Sequence, residues 1–267
     1  MEIPSTIVKN RIEQLFEKKK ERILSVYFSA GFPGLNDTST IMKSLQAAGA
    51  DIIEVGIPFS DPVADGPTIQ KSNKIALDNG ISLKRIFDQL ANIRASVHIP
   101  IIMMGYINPV LQYGLEAFCE KCAEVGVDGL ILPDLPMQEY LDEYQTMFEA
   151  YGIINIFLIT PQTSESRIRD IDSNSRGFIY MVSSASTTGA KGGISDDQIQ
   201  YFERVKAMKL QNPTLIGFGI SNHESFEKAS LHSAGAIIGS AFINVLKNAT
   251  DLNQDINAFI KEVKGKA

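Results

Sequence analysis

Two carboxylates in the stretch DIIEVGIPFSDPVADGPTIQ, residues 51 to 70, are the groups best placed to move protons in this 267-residue chain. Glu54 interrupts an apolar run from Ile52 to Ile57, and a carboxylate in such a run costs free energy unless something uses or pairs it. Asp65 follows in a loop stiffened by Pro58, Pro62 and Pro67, whose fixed φ angles limit the entropy lost when a ligand binds. One reading makes the two an acid/base pair at the rim of a pocket. The other makes Glu54 a satisfied core acid and the loop a tight connection, and these twenty residues leave both open.

The elements that must position them recur along the chain. An amphipathic helix, a small residue with glycine and a short apolar strand appear in succession as AAGAD-IIEVG, EVGVD-GLILP, AYGI-INIFLI and SAGA-IIGS. Glycine ends each helix, and a strand apolar on both faces is one covered by helices on both sides. Strands are expected at Ile23 to Ser29, Ile52 to Ile57, Ile99 to Met104, Gly129 to Pro133, Ile153 to Ile159, Phe178 to Ser183, Thr214 to Phe218 and Ala236 to Gly239. Helices are expected at Asp37 to Ala48, Leu83 to Ala95, Leu115 to Val125, Gln138 to Tyr151, Glu165 to Asp172, Asp197 to Met208, His223 to Leu231 and Leu252 to Lys264. Eight alternating units point to an α/β fold of the (β/α)8 TIM barrel type rather than an open doubly wound sheet. Thr6 to Lys20 adds an N-terminal amphipathic helix, and residues 1–267 are expected to form one domain.

Catalytic groups of such barrels sit at the C-terminal ends of the strands. There the chain offers Tyr27, Ser29, Glu54, Asp61, Asp65, Tyr106, Asn108, Asp134, Thr160, Gln162, Tyr180 and Ser183. No lysine stands near a strand end to form a Schiff base. Of three histidines, His98 and His232 fall at the opposite end and His223 stands alone. Metal and Ser/His chemistry are disfavoured, and carboxylates remain as the proton carriers. Cys119 and Cys122 are two helically spaced thiols without a nearby histidine, and read as packing groups.

GFGIS from Gly217 to Ser221 and the pair Gly239 and Ser240 end the last two strands, where barrels of this kind often hold phosphate on backbone N–H groups. The preceding loop, Ser183 to Asp197, is long and polar and reads as a lid over the mouth. Hydrophobic residues at 44% supply a large core, while a net charge of -6 without a basic stripe argues against nucleic acid or an anionic membrane as partner. A charged N-terminus and no long apolar run lead to the expectation of a cytoplasmic protein.

With these pieces assembled, the chain resembles the tryptophan synthase alpha chain family over nearly its whole length. The resemblance is carried by IEVGIPFSDPVADGPTIQ, followed in order by MMGYINPV, LILPDLP, TTGAKGG, GFGIS and IIGSA. It implies retro-aldol cleavage of indole-3-glycerol phosphate to indole and glyceraldehyde 3-phosphate, a step of tryptophan biosynthesis. It implies Glu54 as the acid/base, Asp65 as the stabiliser of the indole nitrogen, and Tyr180, Thr188 and Phe218 as substrate contacts. Phosphate would rest on Gly189, Gly219, Gly239 and Ser240, while Asp61, Asn108 and Pro136 would face a beta chain in an alpha2-beta2 assembly. The pyridoxal phosphate of that assembly belongs to the beta chain, so no cofactor and no metal is expected here. Some members carry an arginine at the start of the lid, where this chain has Ser183, Ser184 and Ala185, which leaves the coupling of lid closure open. Two other readings are a catalytically idle activator of a beta chain and another sugar-phosphate barrel isomerase.

Overall fold

The structure, a computed structural model, describes residues 9–183, 195–217 and 219–265. In chain order its elements are α1 (Arg11–Lys18), β1 (Ile23–Ser29), α2 (Thr38–Ala48), β2 (Ile52–Gly56), α3 (Pro67–Asp78), α4 (Leu83–Leu90), β3 (Ile101–Met104), α5 (Ile107–Tyr113), α6 (Leu115–Val125) and β4 (Gly129–Ile131). There follow α7 (Met137–Glu139), a π-helical turn Tyr140–Tyr144, α8 (Gln145–Ala150), β5 (Ile154–Asn155), β6 (Leu158–Ile159), α9 (Glu165–Ser173), β7 (Ile179–Val182), α10 (Asp196–Ala207) and β8 (Thr214–Gly217). The chain ends with α11 (His223–His232), β9 (Gly235–Ile238), α12 (Ser240–Asn248) and α13 (Leu252–Lys264).

Every described strand pairing is parallel, and the sheet runs β5-β4-β3-β2-β1-β9-β8-β7-β6. The strand expected at Ile153 to Ile159 is split into β5 and β6 by Ile156 and Phe157. These two residues carry the sheet across the gap. The Ile156 N–H donates to Leu130 O at 2.8 Å on one side, and Phe157 O accepts the Tyr180 N–H at 2.9 Å on the other. The curled sheet therefore returns on itself as the expected barrel.

Strand alternation sorts the side chains into two cores. Leu24, Val26 and Phe28 of β1 pack outward with Ile41, Met42 and Leu45 of α2 and Phe242 and Leu246 of α12. Ile23, Ile52, Ile102, Ile131, Ile154, Phe178, Leu215 and Ile237 fill the interior. The floor of that interior is α1, which inserts Ile12 and Phe16, the latter with its ring centroid 5.7 Å from that of Phe178. Gly129 and Gly177 make room, since a Cβ on either would lie 2.9 Å from Ile12. An Asn10–Glu13 capping box starts the helix, and the Asn10 amide donates to Asp128 O at 2.7 Å and Gly152 O at 2.9 Å. Around this floor Asp128, 3% exposed, accepts from Arg11, Arg94 and the Ile101 N–H. Buried charge here is paired and structural.

Several expectations are corrected in detail. The Leu83 to Ala95 helix ends at Leu90 and gives way to a single 3-10 turn, Ile93–Ala95. The loop expected to run to Gln70 is already α3 from Pro67, with Gly66 as N-cap and the proline in the first turn, where its missing N–H costs nothing. Helix α3 shows little apolar periodicity in the sequence because half of its buried face is polar, Ser72 and Asn73 beside Ile69 and Ala76. Short α5 and α12 were also not singled out. The helix expected from Asp37 begins at Thr38, with Asp37 as its N-cap residue, and the Asp37 carboxylate accepts the Gly34 N–H at 2.9 Å rather than an N–H of the helix. Among the described residues no helix is long and apolar enough to cross a membrane.

The tightest backbone approach in the barrel is at Gly235, where a Cβ would collide with the backbone of Ile23 on β1, a collision backbone atoms cannot rotate away from. Gly235→Ala is expected to cost roughly 3 kcal/mol or more of stability, read by urea unfolding.

Candidate active site

Glu54 sits at the centre of β2, opposite Tyr27 of β1 and Ile102 of β3, with its side chain on the interior face. It is completely buried, as the apolar run predicts. Its Oε1 accepts the Ser25 hydroxyl at 2.6 Å, whereas Oε2 is buried with no hydrogen-bond partner among the described residues. Loss of water pushes its pKa up to about 7, against a smaller downward pull from Ser25. A buried acid with one oxygen unused is a group kept for a ligand or a proton.

Asp65 lies in the β2–α3 loop, half-buried, and burial raises it to about 6, opposed by the Tyr106 hydroxyl. That loop is held from below. The Tyr106 hydroxyl accepts the Ala64 N–H at 2.9 Å, the Phe59 ring stands 5.4 Å from the Tyr106 ring, and Gln70 Nε2 donates to Asp65 O at 2.8 Å. Asn73 Nδ2 reaches the Asp65 carboxylate at 3.3 Å. Asn73 ties Asp65 to Ser29 of β1, and Glu54 is the strand partner of Tyr27 on that same strand, so both acids stand at this part of the barrel mouth; burial first, and then the charges of the two acids, raise the buried Tyr27 and Tyr180 phenols. Each phenol lies over a glycine of the neighbouring strand, Tyr27 over Gly56 and Tyr180 over Gly217, where any side chain would displace it. Tyr180, expected at the end of a strand, lies on β7 and is buried against Gly217 of β8.

At the other side of the mouth, Gly219 follows β8 with φ +78° and open space where a Cβ would be. Gly239 is the N-cap of α12 and Ser240 its first residue, with no side chain capping the helix. By contrast α11 is closed by its own Asn222–Ser225 capping box. The first N–H groups of α12 are therefore the ones left to an external anion. Thr188, Gly189 and Phe218 lie outside the described residues, as does most of the loop read as a lid.

Asp61, Asn108 and Pro136 are all exposed, in the segments after β2, β3 and β4. These segments are linked: the Tyr106 contacts join the first to the second, and the Asp134 carboxylate accepts the Ile107 N–H at 3.0 Å to join the second to the third. Val63 and Leu111, 84% and 46% exposed, put apolar surface on the same segments. Residues that sequence reasoning missed are Ser25, Ser72 and Asn73. Ser25 left a faint signal as a polar residue in the otherwise apolar start of β1. Among the described residues no three His, Cys, Asp or Glu side chains converge as metal ligands, and Cys119 and Cys122 are free thiols in the core face of α6.

Residues 13–266 match the family model described as tryptophan synthase alpha chain. The chain is 58% identical over 255 residues to a tryptophan synthase alpha chain from Flavobacterium johnsoniae, covering 96% of this chain and 100% of that one. It is 54% identical to the one from Parabacteroides distasonis, covering 96% and 99%. Its fold is similar to the crystal structure of tryptophan synthase subunit alpha from Legionella pneumophila, with a TM-score of 0.87, 32% identity and coverage of 97% and 98%. A chain of the tryptophan synthase complex from Pyrococcus furiosus is similar at a TM-score of 0.84 and 31% identity, covering 92% and 99%.

The raised carboxyl of Glu54 has a consequence for stability. A group whose folded value exceeds its unfolded one contributes stability that is complete below the unfolded value and lost as pH rises through the folded one; here the window runs from 4.5 to about 7. Glu54→Gln, which cannot ionise, should gain on the wild type across that window by roughly 2–3 kcal/mol, measured by urea unfolding at pH 4.5 and pH 8.

Proposed function

The chain belongs to the tryptophan synthase alpha chain family, and from that premise we propose that Glu54 and Asp65 are its catalytic pair. The activity of the family is a lyase reaction of tryptophan biosynthesis, the cleavage of indole-3-glycerol phosphate to indole and glyceraldehyde 3-phosphate, and it is the activity of this chain. The observation that carries the residue assignment is the buried Oε2 of Glu54, unpartnered among the described residues, with Asp65 tied through Asn73 to Ser29 on the strand next to it.

The reaction asks for one proton in and one proton out. Protonated Glu54 delivers its proton to the indole ring carbon that bears the glycerol chain, and the positive charge this creates on the ring nitrogen is met by the Asp65 carboxylate. Ionised Glu54 then takes the proton of the adjacent glycerol hydroxyl. The O–H electrons become the aldehyde C=O, the carbon–carbon bond breaks, and its electrons return to the ring and neutralise the nitrogen. Glu54 ends protonated, ready for the next turnover. A pKa of about 7 leaves both of its forms populated near neutral pH, which a group acting as acid and then as base requires.

Tyr180 is the substrate-positioning phenol. Gly219, Gly239 and Ser240 receive the phosphate at the start of α12, together with Gly189, and Thr188 and Phe218 complete the site from outside the described residues. The chain assembles with a beta chain, and the exposed faces carrying Asp61, Asn108 and Pro136 are the contact, their apolar neighbours Val63 and Leu111 supplying area to bury. Pyridoxal phosphate is the beta chain's, and the steps above ask no cofactor of this one. The whole chain acts as one barrel domain in the cytoplasm.

Indole release from indole-3-glycerol phosphate, followed in the presence of a beta chain, tests the assignment. Glu54→Gln and Asp65→Asn are each expected to lower kcat by about 100-fold or more while both still activate the beta chain. A substitution at the phosphate end, Ser240→Ala, should instead raise KM several-fold with kcat little changed. Wild-type indole release from Glu54→Gln would refute the acid/base role.

A further inference from the structure

We propose that Asn73 is a positioning residue that holds Asp65 ionised and aimed into the barrel mouth, as the last link of a hydrogen-bond chain anchored on β1 through Ser29. The proposal rests on the reading of Asp65 as the group that meets the indole nitrogen.

Asn73, Ser72 and Ser29 are 2%, 1% and 0% exposed, a buried polar cluster between α3 and the end of β1 that neither packing nor the steps above account for. Ser29 Oγ lies 2.8 Å from Asn73 Oδ1 and 2.8 Å from Ser72 Oγ, Ser72 Oγ lies 2.8 Å from Ile69 O, and Asn73 Nδ2 lies 3.3 Å from Asp65 Oδ2. Each hydroxyl has one proton to give. An amide oxygen only accepts, so Ser29 spends its proton on Asn73, and the Ser72 proton is left to be shared between Ile69 O and Ser29 Oγ, both at 2.8 Å. From Ser29 the chain runs one way, to Asn73 and on to Asp65. Its end presents an N–H to the carboxylate, and such a donor favours the charged form.

The opposite polarity is also self-consistent, and it marks what the chain selects. With the amide turned over, Asn73 would donate to Ser29, Ser29 to Ser72 and Ser72 to Ile69 O, leaving Asn73 Oδ1 against Asp65. That arrangement suits only a protonated Asp65, because two acceptors repel. The orientation in the structure is the one matched to a carboxylate, the form needed to stabilise a cationic indole nitrogen.

Asp65 needs the help. Burial raises it to about 6, and the described titratable groups around it are Tyr106 from the β3–α5 segment, Tyr27 of β1, Tyr180 of β7 and Glu54 of β2. None of these is a cation. Tyr106 already braces the loop through Ala64, which leaves Asn73 as the donor fixed to the barrel wall rather than to the neighbouring loops.

The test is the pH profile of indole release from indole-3-glycerol phosphate by the assembled enzyme. Removing the donor in Asn73→Ala should move the acid limb of kcat/KM upward by roughly 0.5–1 pH unit, with kcat falling more than KM rises. Asn73→Asp keeps the shape but sets a second carboxylate against the first, and should move the limb further in the same direction. Ser29→Ala, which keeps Asn73 but removes its anchor, should shift the limb the same way by less, and covers the case in which the Asn73 variants do not fold. An acid limb that stays put or moves downward in the folded variants overturns the proposal. If in the same experiment Asp65→Asn loses indole release, the assignment of Asp65 stands without Asn73; if Asp65→Asn is as active as the wild type, the assignment of Asp65 itself falls.

Discussion

Removal of water from one carboxyl is the constraint around which this barrel is built. Glu54 occupies an interior layer where its neighbours across the sheet are Tyr27 and Ile102, and one hydroxyl, that of Ser25, is the only partner given to it among the described residues. A fully solvated glutamate would be a poor acid at neutral pH, and a fully paired one would be inert. The interior supplies the intermediate condition, in which charge is expensive and one oxygen stays open. Ser25 keeps the group oriented without saturating it.

The two ends of the barrel handle polar groups in opposite ways. At the floor, Asp128 is saturated by two arginines and a backbone N–H, and Asp51 accepts from Lys19, Lys264 and the Leu24 N–H. Those carboxylates fix the start of α1 and the ends of α13 and α1, and they have nothing left to offer a substrate. At the mouth, by contrast, carboxylates are met by neutral donors: Ser25 for Glu54, Tyr106 and Asn73 for Asp65. Neutral donors orient an acid while leaving its charge available, which is the difference between a strut and a reactive group.

Much of this was legible in the chain itself. Eight apolar strands, four of them introduced by a helix that ends in a small residue and glycine, are a strong periodic signal, and the strand order places Glu54 on the interior once the barrel is drawn. A carboxylate in an apolar strand and an aspartate among three prolines stand out against their surroundings, so the burial of both could be expected in advance. What stayed hidden were polar residues whose importance depends on contacts across the chain. Ser29 meets Asn73 forty-four positions away, and nothing near either residue announces the meeting. The split of the fifth strand was hidden for a related reason: an apolar run looks the same whether its ladder faces one neighbour or passes from one to the next, as Ile156 and Phe157 do.

The floor formed by Ile12 and Phe16 turns the barrel into a blind well. Whatever enters does so past the strand ends, and whatever is made there leaves by the same aperture. Traffic is therefore sequential: a product formed inside must go out by the way the next substrate comes in. A protein seated on that aperture would decide whether the small apolar product meets bulk water at all. Helix α1, far from any reacting atom, in this way sets the direction of flow.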